Sequence, residues 1–416
     1  MIPRGNVGRV WTVAVTSGLG AWMVQVAVFV WILREYGAPS LALLVLAGQM
    51  PAFLLAPGLG TWIDRRDPGP LLRCSIVAQA GVVVVLLAFI HQSLVLFAAG
   101  YAIFNLVRAA GTTARQRFLY AMIDPGERPA ANAVIGSVTG LVTIVGAALG
   151  GTMAWVGLGP VLLGAAAIQG FGVFALGSSQ PYQGCPHVPL LEPYGRSVRD
   201  GFQALRQFPR ATSVLLVGMA WGLIGGGYDV LLTDYGVHRL HGGAPGLGVL
   251  YVTDGVGVMV GAWLARRLGA RWRGHIFASA YLLQGVFWTL FALSARFAIA
   301  IPFLLVMRVA SGIIIAWDTT LLLETVPDSL HGRVFSLHAA TYGAVMRLSL
   351  ALTGVLLAVV GPEGVAVGAG VGSVLVGVTW WFASGRLWPG DPVPHGDSPS
   401  VRRVGQPVHA REARAV

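Results

Sequence analysis

Long runs of apolar residues, separated by short polar stretches, recur along the 416-residue chain. A helix needs about 20 consecutive apolar residues to cross the hydrocarbon core of a bilayer. Twelve runs of suitable length lie at 9–33, 40–63, 71–91, 94–114, 132–156, 159–178, 211–234, 246–265, 274–294, 297–323, 335–360 and 364–385. The pattern predicts an all-α polytopic membrane protein with twelve transmembrane helices and both termini on one side.

The composition agrees with this prediction. Hydrophobic residues make up 55% of the chain and charged residues 11%, whereas about a quarter of the residues in soluble domains are charged. The net charge of +11 does not indicate a nucleic-acid partner, because these charges are spread among apolar runs instead of forming a basic patch. Cys74 and Cys185 are far apart and lack the spacing of a metal or redox site. We therefore expect a bilayer-embedded protein without metal.

The arginines predict how the chain is oriented, because cytoplasmic loops carry an excess of positive charge. The loops on one side contain only Arg34, Arg239 and Arg296. The other side holds Arg4, Arg9, Arg65, Arg66, Arg73, Arg115, Arg117, Arg128, Arg196, Arg199, Arg206, Arg210, Arg266, Arg267, Arg271 and Arg273. We expect a multi-pass protein of the cell inner (cytoplasmic) membrane with both termini in the cytoplasm.

Short motifs recur at a nearly constant distance, which indicates an internal duplication. GTWIDRR at 60–66 matches GAWLARR at 261–267, at an offset of 201 residues, and each closes the second span of a six-span unit. Arg108 and Arg308 are offset by 200 residues. Many secondary transporters are built from such repeats and bind their substrate at the midplane between them. The chain is therefore predicted to form two pseudo-symmetric six-helix halves.

A long polar segment separates these halves. Within it, Val198, Phe202 and Leu205 share one face, the pattern of an amphipathic helix lying on the membrane surface. The residues after Leu387 are rich in Pro, Gly, Ser and Arg, a composition that cannot bury a core. We divide the chain into a first half (1–178), a cytoplasmic linker with an amphipathic helix (179–210), a second half (211–387) and a disordered cytoplasmic tail (388–416).

GTWIDRR resembles a signature of the major facilitator superfamily. Gly60, Asp64 and Arg65 match the Gly-x-x-x-Asp-Arg pattern between the second and third spans. The segments RSVRDGFQALRQFP, IDPGERPAANAV and VPDSLHGRVFS are similar to the drug-efflux and siderophore-export branch, whose members are proton antiporters. The resemblance covers about residues 6–385 and implies the major facilitator fold. It departs at Ala21, where this branch often has an acidic residue.

The resemblance implies that Gly60, Asp64 and Arg65 form a conformational latch. A carboxylate at a cytoplasmic helix end can pair with arginines or a helix N-terminus in one state and release them in the other. The second copy of the motif has Ala265 in place of Asp64, so the latch is expected in the first half alone. The alternative is that Arg65 is an ordinary topology anchor and Asp64 a solvated neighbour.

Six charged residues lie deep inside predicted spans, where a charge costs at least about 2.5 kcal/mol on insertion scales and usually marks a pathway. They are Arg108, Asp229, Asp254, Arg308, Asp318 and Arg347. Arg308 and Asp318 are ten residues apart on one helix, about 15 Å along its axis, so they are too distant to pair. Their partners must come from other helices.

We expect an acid of the seventh or eighth span, Asp229 or Asp254, to pair with an arginine. The candidate arginines are Arg308 and Arg347. A nearby arginine keeps a carboxylate ionised, so a movement that separates such a pair in a poorly hydrated cavity lets the acid take up a proton. The set predicts a proton-coupling or substrate site, with Asp254 ranked first because Gly257 permits close helix approach. Static ion pairs that fix helix register are the alternative.

The spans of the first half carry little charge. Arg108, in LVRAAGTTA, partly resembles the Arg-x-x-Gln-Gly signature of proton-coupled exporters but lacks the glutamine. A functional role and a helix-packing role both stay open for it. Together with Gln25, Gln79 and Asn105, it suits a pocket for a hydrophobic cargo.

These observations lead us to expect a secondary active transporter that exports a small amphipathic compound, such as a drug, siderophore or other secondary metabolite, by proton antiport with alternating access. A proton-coupled importer or a lipid flippase on the same fold is the alternative, and a non-transporting polytopic protein is the least favoured. No phosphate-binding glycine loop or catalytic cluster is present in the sequence. We expect no enzymatic activity and no cofactor, and a monomer driven by the proton gradient.

Overall fold

The structure is a computed structural model, and it describes residues 6–64, 66–90, 92–122, 128–154, 156–176, 207–268, 273–327 and 331–387. Every regular element in these ranges is helical. The helices are α1 (Asn6–Asp64), α2 (Pro68–Phe89), α3 (Leu94–Met122), α4 (Arg128–Met153), α5 (Leu158–Leu176), α6 (Pro209–Gly225), α7 (Tyr228–Asp234) with a π-helical turn (Tyr235–Arg239), α8 (Gly243–Ala265), α9 (Arg273–Leu293), α10 (Phe297–Glu324) and α11 (His331–Leu387). The predicted linker helix and the tail lie outside these ranges.

Two of these helices contain a reversal of the chain. Gly37 has φ 80° and ψ 173°, and Gly361 has φ 73° and ψ 172°, a conformation at positive φ that residues with a Cβ rarely adopt. Each glycine divides a helix of more than 50 residues into a first and a second arm, each of spanning length. Eight described helices are long and apolar enough to cross a membrane, and two shorter apolar helices accompany them. With the two reversals, this arrangement is consistent with twelve spans.

The duplicated motif forms the same local structure in both halves. The guanidinium of Arg66 lies 4.4 Å from the ring centre of Trp62, and that of Arg267 lies 4.3 Å from the ring centre of Trp263. Trp62 is 45% exposed and Trp263 51% exposed, as expected for indole rings at a membrane interface. The repeat seen in the sequence is therefore also a repeat of side-chain packing.

Side chains at equivalent positions of α3 and α10 donate hydrogen bonds to backbone carbonyls of these motifs. Arg117 donates to the carbonyl of Ile63, and Trp317 Nε1 donates to the carbonyl of Ala265 at 3.2 Å. Arg115 and Arg117 were predicted to lie in a loop, but α3 continues to Met122 and contains both. The prediction was wrong because a run of apolar residues ends at the first charges, whereas the helix extends beyond it.

The two halves share a buried core at one end of the molecule. The largest cluster of buried apolar side chains contains residues of both halves, such as Phe29 and Leu247, near the ends of spans opposite the chain termini. Toward the terminus-bearing end, the clusters of the two halves are separate: the described residues of the first half form one around Phe118 and a small one at Ala14 and Val142, and those of the second half form one around Phe277. The described parts of the halves are therefore packed together at one end and have separate cores at the other.

Small residues allow the helices to approach closely. A Cβ on Gly150 of α4 would lie 2.9 Å from the Met23 carbonyl oxygen of α1, and one on Gly257 of α8 would lie 2.5 Å from the Arg308 Cβ of α10. Between the halves, α4 packs on α8, and the second arm of α1 packs on the first arm of α11. These contacts set the positions of the buried charges.

Candidate functional site

The seventh span is interrupted at the depth of the buried charges. Gly226 and Gly227 separate α6 from α7, and a Cβ on Gly226 would lie 2.5 Å from the Ser349 Cβ of α11. The Ser349 hydroxyl donates to the carbonyl of Leu223 beside the break. Irregular backbone at membrane depth is tolerated where protein buries it or it lines a cavity. The interruption places Tyr228 at the start of a new helix within the second half.

Asp254 of α8 and Arg308 of α10 form an ion pair. Both side chains are largely buried, with exposed fractions of 12% and 14%. The Tyr228 hydroxyl donates to Asp254 Oδ1 at 2.7 Å, and the Arg308 guanidinium lies over the Tyr228 ring, 4.7 Å from its centre. The expected pairing of a membrane-embedded acid with Arg308 is confirmed. Tyr228 was missed, although its place after three glycines and before Asp229 was a signal.

A cavity of about 160 Å³ adjoins this pair, and the described residues that line it belong to the second half. Asp229 and Arg308 line it with aromatic, thioether and small polar side chains. These include Trp221, Trp288, Met307, Ser311, Tyr342 and Met346. The Asp229 carboxylate has no bonding partner among the described side chains, although it lies within electrostatic range of Asp254, Arg308 and Arg108. Asp229 is thus within electrostatic range of three of the other five charged residues predicted to lie inside spans.

Gln284 of α9 organises the polar wall of this cavity. Its Oε1 accepts hydrogen bonds from Ser311 Oγ at 2.8 Å and Trp221 Nε1 at 3.3 Å, and its Nε2 donates to Ser373 Oγ at 3.3 Å. A buried amide costs free energy unless it is hydrogen-bonded, so this network fixes the helices that carry its members. The sequence analysis did not identify Gln284, although a single amide side chain within the apolar run of the ninth span could have indicated it.

Asp318 belongs to a separate pair. Its Oδ2 lies 2.7 Å from Nε2 of His338 in α11, and the His338 ring stacks on Tyr342 with 6.3 Å between ring centres. Asp318 lies about 15 Å along α10 from Arg308, toward the terminus-bearing end. The partner does come from another helix, as expected, but it is a histidine that sequence reasoning did not consider.

Arg347 lies at the boundary between the halves. Its Nη1 donates to the Gly343 carbonyl on its own helix at 2.8 Å, and its guanidinium lies 4.2 Å from the ring centre of Phe53 in α1. Of the two arginines expected as alternative partners of Asp229 or Asp254, Arg308 is the one that pairs, because α11 turns the Arg347 side chain toward the first half.

Arg108 lines a second cavity of about 210 Å³, which is formed by the first half and also contains Gln79. Its Nη1 donates to Gln25 Oε1 at 3.1 Å. Asn105 donates instead to the Tyr101 carbonyl of its own helix at 2.9 Å. Of the polar residues predicted to form a cargo pocket here, Gln25 and Gln79 therefore accompany Arg108.

The hypothesis of a latch is not tested by these contacts. The side chains of Gly60, Asp64 and Arg65 lie outside the described residues, and their role stays a prediction. In the part of the chain that the structure describes, no three His, Cys, Asp or Glu side chains are placed to hold a metal ion.

Residues 10–348 match the Major Facilitator Superfamily. This match covers most of the chain, so the protein belongs to that superfamily and is a multi-pass membrane transporter rather than an enzyme. No curated protein matches its sequence.

Several solved structures of transporters have a similar fold at low sequence identity. A peptide transporter POT in complex with alafosfalin has a TM-score of 0.74 and 12% identity, with 93% of this chain and 97% of that chain covered. The nucleoside transporter NupG has a TM-score of 0.72 and 10% identity, with 90% and 99% covered. A bacterial homolog to the human lysosomal transporter Spinster, in an inward-facing and occupied conformation, has a TM-score of 0.66 and 13% identity, with 91% and 96% covered. These likenesses confirm the predicted fold.

Proposed function

We propose that this protein exports a small amphipathic compound by proton antiport, using alternating access between its two halves. The observation that carries the proposal is Asp229. This carboxylate faces a cavity beside a complete ion pair and has no bonding partner of its own among the described residues. A proton crossing a potential of 100 mV supplies about 2.3 kcal/mol, which can drive such a cycle.

Asp229, rather than Asp254, is the better candidate for the proton carrier. A carrier must exist in a protonated and an ionised form during each cycle, and a carboxylate held by a cation favours the ionised form. Asp254 is held by Arg308 and accepts a hydrogen bond from Tyr228. Asp229 experiences the same arginine without bonding to it. In this assignment Asp254 and Tyr228 position Arg308, and Arg308 stabilises Asp229 after the proton leaves.

The lining of the cavity and the packing of the halves support export of an amphipathic cargo. Trp221, Trp288 and Met346 line the cavity, and ligand sites commonly combine such apolar surfaces with a few polar groups. The halves have separate cores at the terminus-bearing end, which the arginine distribution predicts to be cytoplasmic. A conformation open on that side would admit cargo from the cytoplasm, and rocking of the halves would release it outside.

Proton flux in proteoliposomes tests this function. Vesicles with an internal pH dye are given candidate amphipathic compounds, and proton movement opposite to the cargo is expected. Asp229→Asn should abolish the response to a pH gradient while downhill exchange survives, because neutral asparagine resembles the protonated acid. Asp234→Asn is the matched control, since Asp234 lies in the same span but bonds to His238 at 3.0 Å and does not line the cavity.

Three outcomes would change the assignment. Proton and cargo moving in the same direction would identify an importer, and lipid movement between leaflets without proton flux would identify a flippase. A full pH response in Asp229→Asn together with its loss in Asp254→Asn would return the proton to Asp254.

A further inference from the structure

The cavity of the first half differs in charge from the cavity beside Asp229. It is lined by two arginines of α3, Arg108 and Arg115, together with neutral polar and apolar side chains. We propose that this cavity binds the anionic group of the cargo, a carboxylate or phosphate ester attached to an apolar body. This inference rests on the proposed transport function and specifies its substrate class.

Helix geometry brings the two arginines together. Arg108 and Arg115 are seven residues apart, which corresponds to about 10 Å along the axis and nearly the same face of an α-helix. Both residues line one cavity of about 210 Å³. Arg115 lies nearer the terminus-bearing end of α3 than Arg108 does, so the two arginines line the cavity at successive depths.

Among the acids of the first half whose side chains the structure describes, none balances these two charges. The acidic residues of the first 178 positions are Glu35, Asp64, Asp67, Asp124 and Glu127. The two whose side chains the structure describes, Glu35 and Asp67, are exposed and do not line the cavity. Arg108 donates to the neutral amide of Gln25, and Arg115 pairs with no described carboxylate. The Asp229 carboxylate of the second half lies within electrostatic range of Arg108 but does not bond to it. An anionic ligand would supply the bonded counterion that a buried cation otherwise lacks.

The remaining walls suit an amphipathic ligand. Gly111 lies between the two arginines on the same face of α3, and a Cβ there would lie 2.8 Å from Gln79 Nε2 and 3.0 Å from Ser75 Oγ. The glycine therefore allows these polar groups to approach the gap between the cations. Trp22 and Ile76 line the same cavity and offer apolar surface to the rest of the molecule.

A binding measurement without any proton gradient tests the proposal. The probes are radiolabelled benzoate and phenyl phosphate as anions, benzamide as the neutral analogue and benzylammonium as the cation, each added to the purified full-length protein in nanodiscs. Hydrogen bonds to charged groups are strong enough that losing one weakens binding by about tenfold or more. We expect at least one anion to bind about tenfold more tightly than benzamide, and the stronger of the two identifies the anionic group.

Variants assign the binding to the two arginines. Arg108→Gln and Arg115→Gln should each weaken anion binding by about tenfold and leave benzamide binding unchanged, whereas the lysine variants should retain part of the anion preference. Arg266→Gln is the control, because it removes the same charge from an exposed residue of the second half. If Arg108→Gln does not fold, Arg115→Gln decides alone, and unchanged anion binding in that variant counts against the proposal.

The proposal is overturned if neither anion is preferred over benzamide, if benzylammonium binds best, or if anion binding is unchanged in both glutamine variants. These outcomes are independent of the proton-antiport test. Loss of proton coupling leaves equilibrium binding of an anion intact, and loss of anion preference leaves proton movement through Asp229 intact.

Discussion

Arg108 in α3 and Arg308 in α10 occupy equivalent positions of the two halves, 200 residues apart, but their partners differ. Arg308 bonds to the carboxylate of Asp254, whereas Arg108 donates to the neutral amide of Gln25. At the offset of the duplicated motif, the residue that corresponds to Asp254 is Phe53. The first half thus has an aromatic ring where the second has the acid that balances its arginine.

This comparison explains how two copies of one unit can perform different tasks. In the second half the arginine is balanced within the protein, and the neighbouring Asp229 remains available to exchange a proton. In the first half, Arg108 and Arg115 bond to no carboxylate that the structure describes, and we propose that their charge is available to a ligand. The two halves share the same arrangement of helices. In our proposals they differ in what they bind because Arg308 has a bonded carboxylate and Arg108 does not.

The largest expected effect is the loss of stability on removing Arg308, compared with removal of the equivalent Arg108. Arg308→Gln leaves Asp254 buried without its cation, which should lower the free energy of unfolding by about 3–5 kcal/mol. Arg108→Gln leaves no unpaired carboxylate, so its change should stay within about 1 kcal/mol. Chemical unfolding of the detergent-purified variants measures both.

The double variant Asp254→Asn with Arg308→Gln is the control for this prediction. It removes both charges of the pair and should recover most of the lost stability. Equal destabilisation by Arg308→Gln and Arg108→Gln would show that the interiors of the two halves do not differ in the way described.

A smaller effect is expected from the glycines that bring α8 and α10 together. A Cβ at Gly261 would overlap the Val309 carbonyl oxygen and lie 2.8 Å from the Gly312 Cα, whereas a Cβ at Gly81 of the first half meets nothing within 4 Å. Gly261→Ala should therefore cost about 1–3 kcal/mol by overpacking. Gly81→Ala should be neutral or stabilise by up to about 1 kcal/mol.

Thermal unfolding monitored by tryptophan fluorescence compares the two glycine variants. Similar midpoints for Gly261→Ala and Gly81→Ala would mean that close crossing of α8 and α10 does not hold the charged pair of the second half in place.

The smallest effect concerns a feature that the halves share. Arg66→Gln and Arg267→Gln each remove a guanidinium from an exposed indole ring, and each should cost about 0.5–1 kcal/mol. The two sites are far apart in sequence and in different halves, so the losses should add in the double variant. Unfolding of the three variants checks this, and a loss confined to one half would break the symmetry of the repeat.

The sequence alone predicted the spans and the repeat. The length of an apolar run reports whether a helix can cross a bilayer, and the runs on either side of Gly37 and Gly361 became the two arms of α1 and α11. The offset between GTWIDRR and GAWLARR predicted a structural repeat, which the equivalent packing of Trp62 and Trp263 confirmed. These features are local, since they depend on residues close together in the chain.

Only the tertiary structure decided which buried charges meet. The sequence gives the depth of a residue along its helix, but not the direction in which neighbouring helices turn its side chain. Arg308 pairs with Asp254 because α8 and α10 cross closely at Gly257. Arg347, at a similar depth, turns instead toward Phe53 in the other half, and Asp318 meets a histidine. Helix rotation and crossing result from packing over the whole molecule, and no short segment of the sequence determines them.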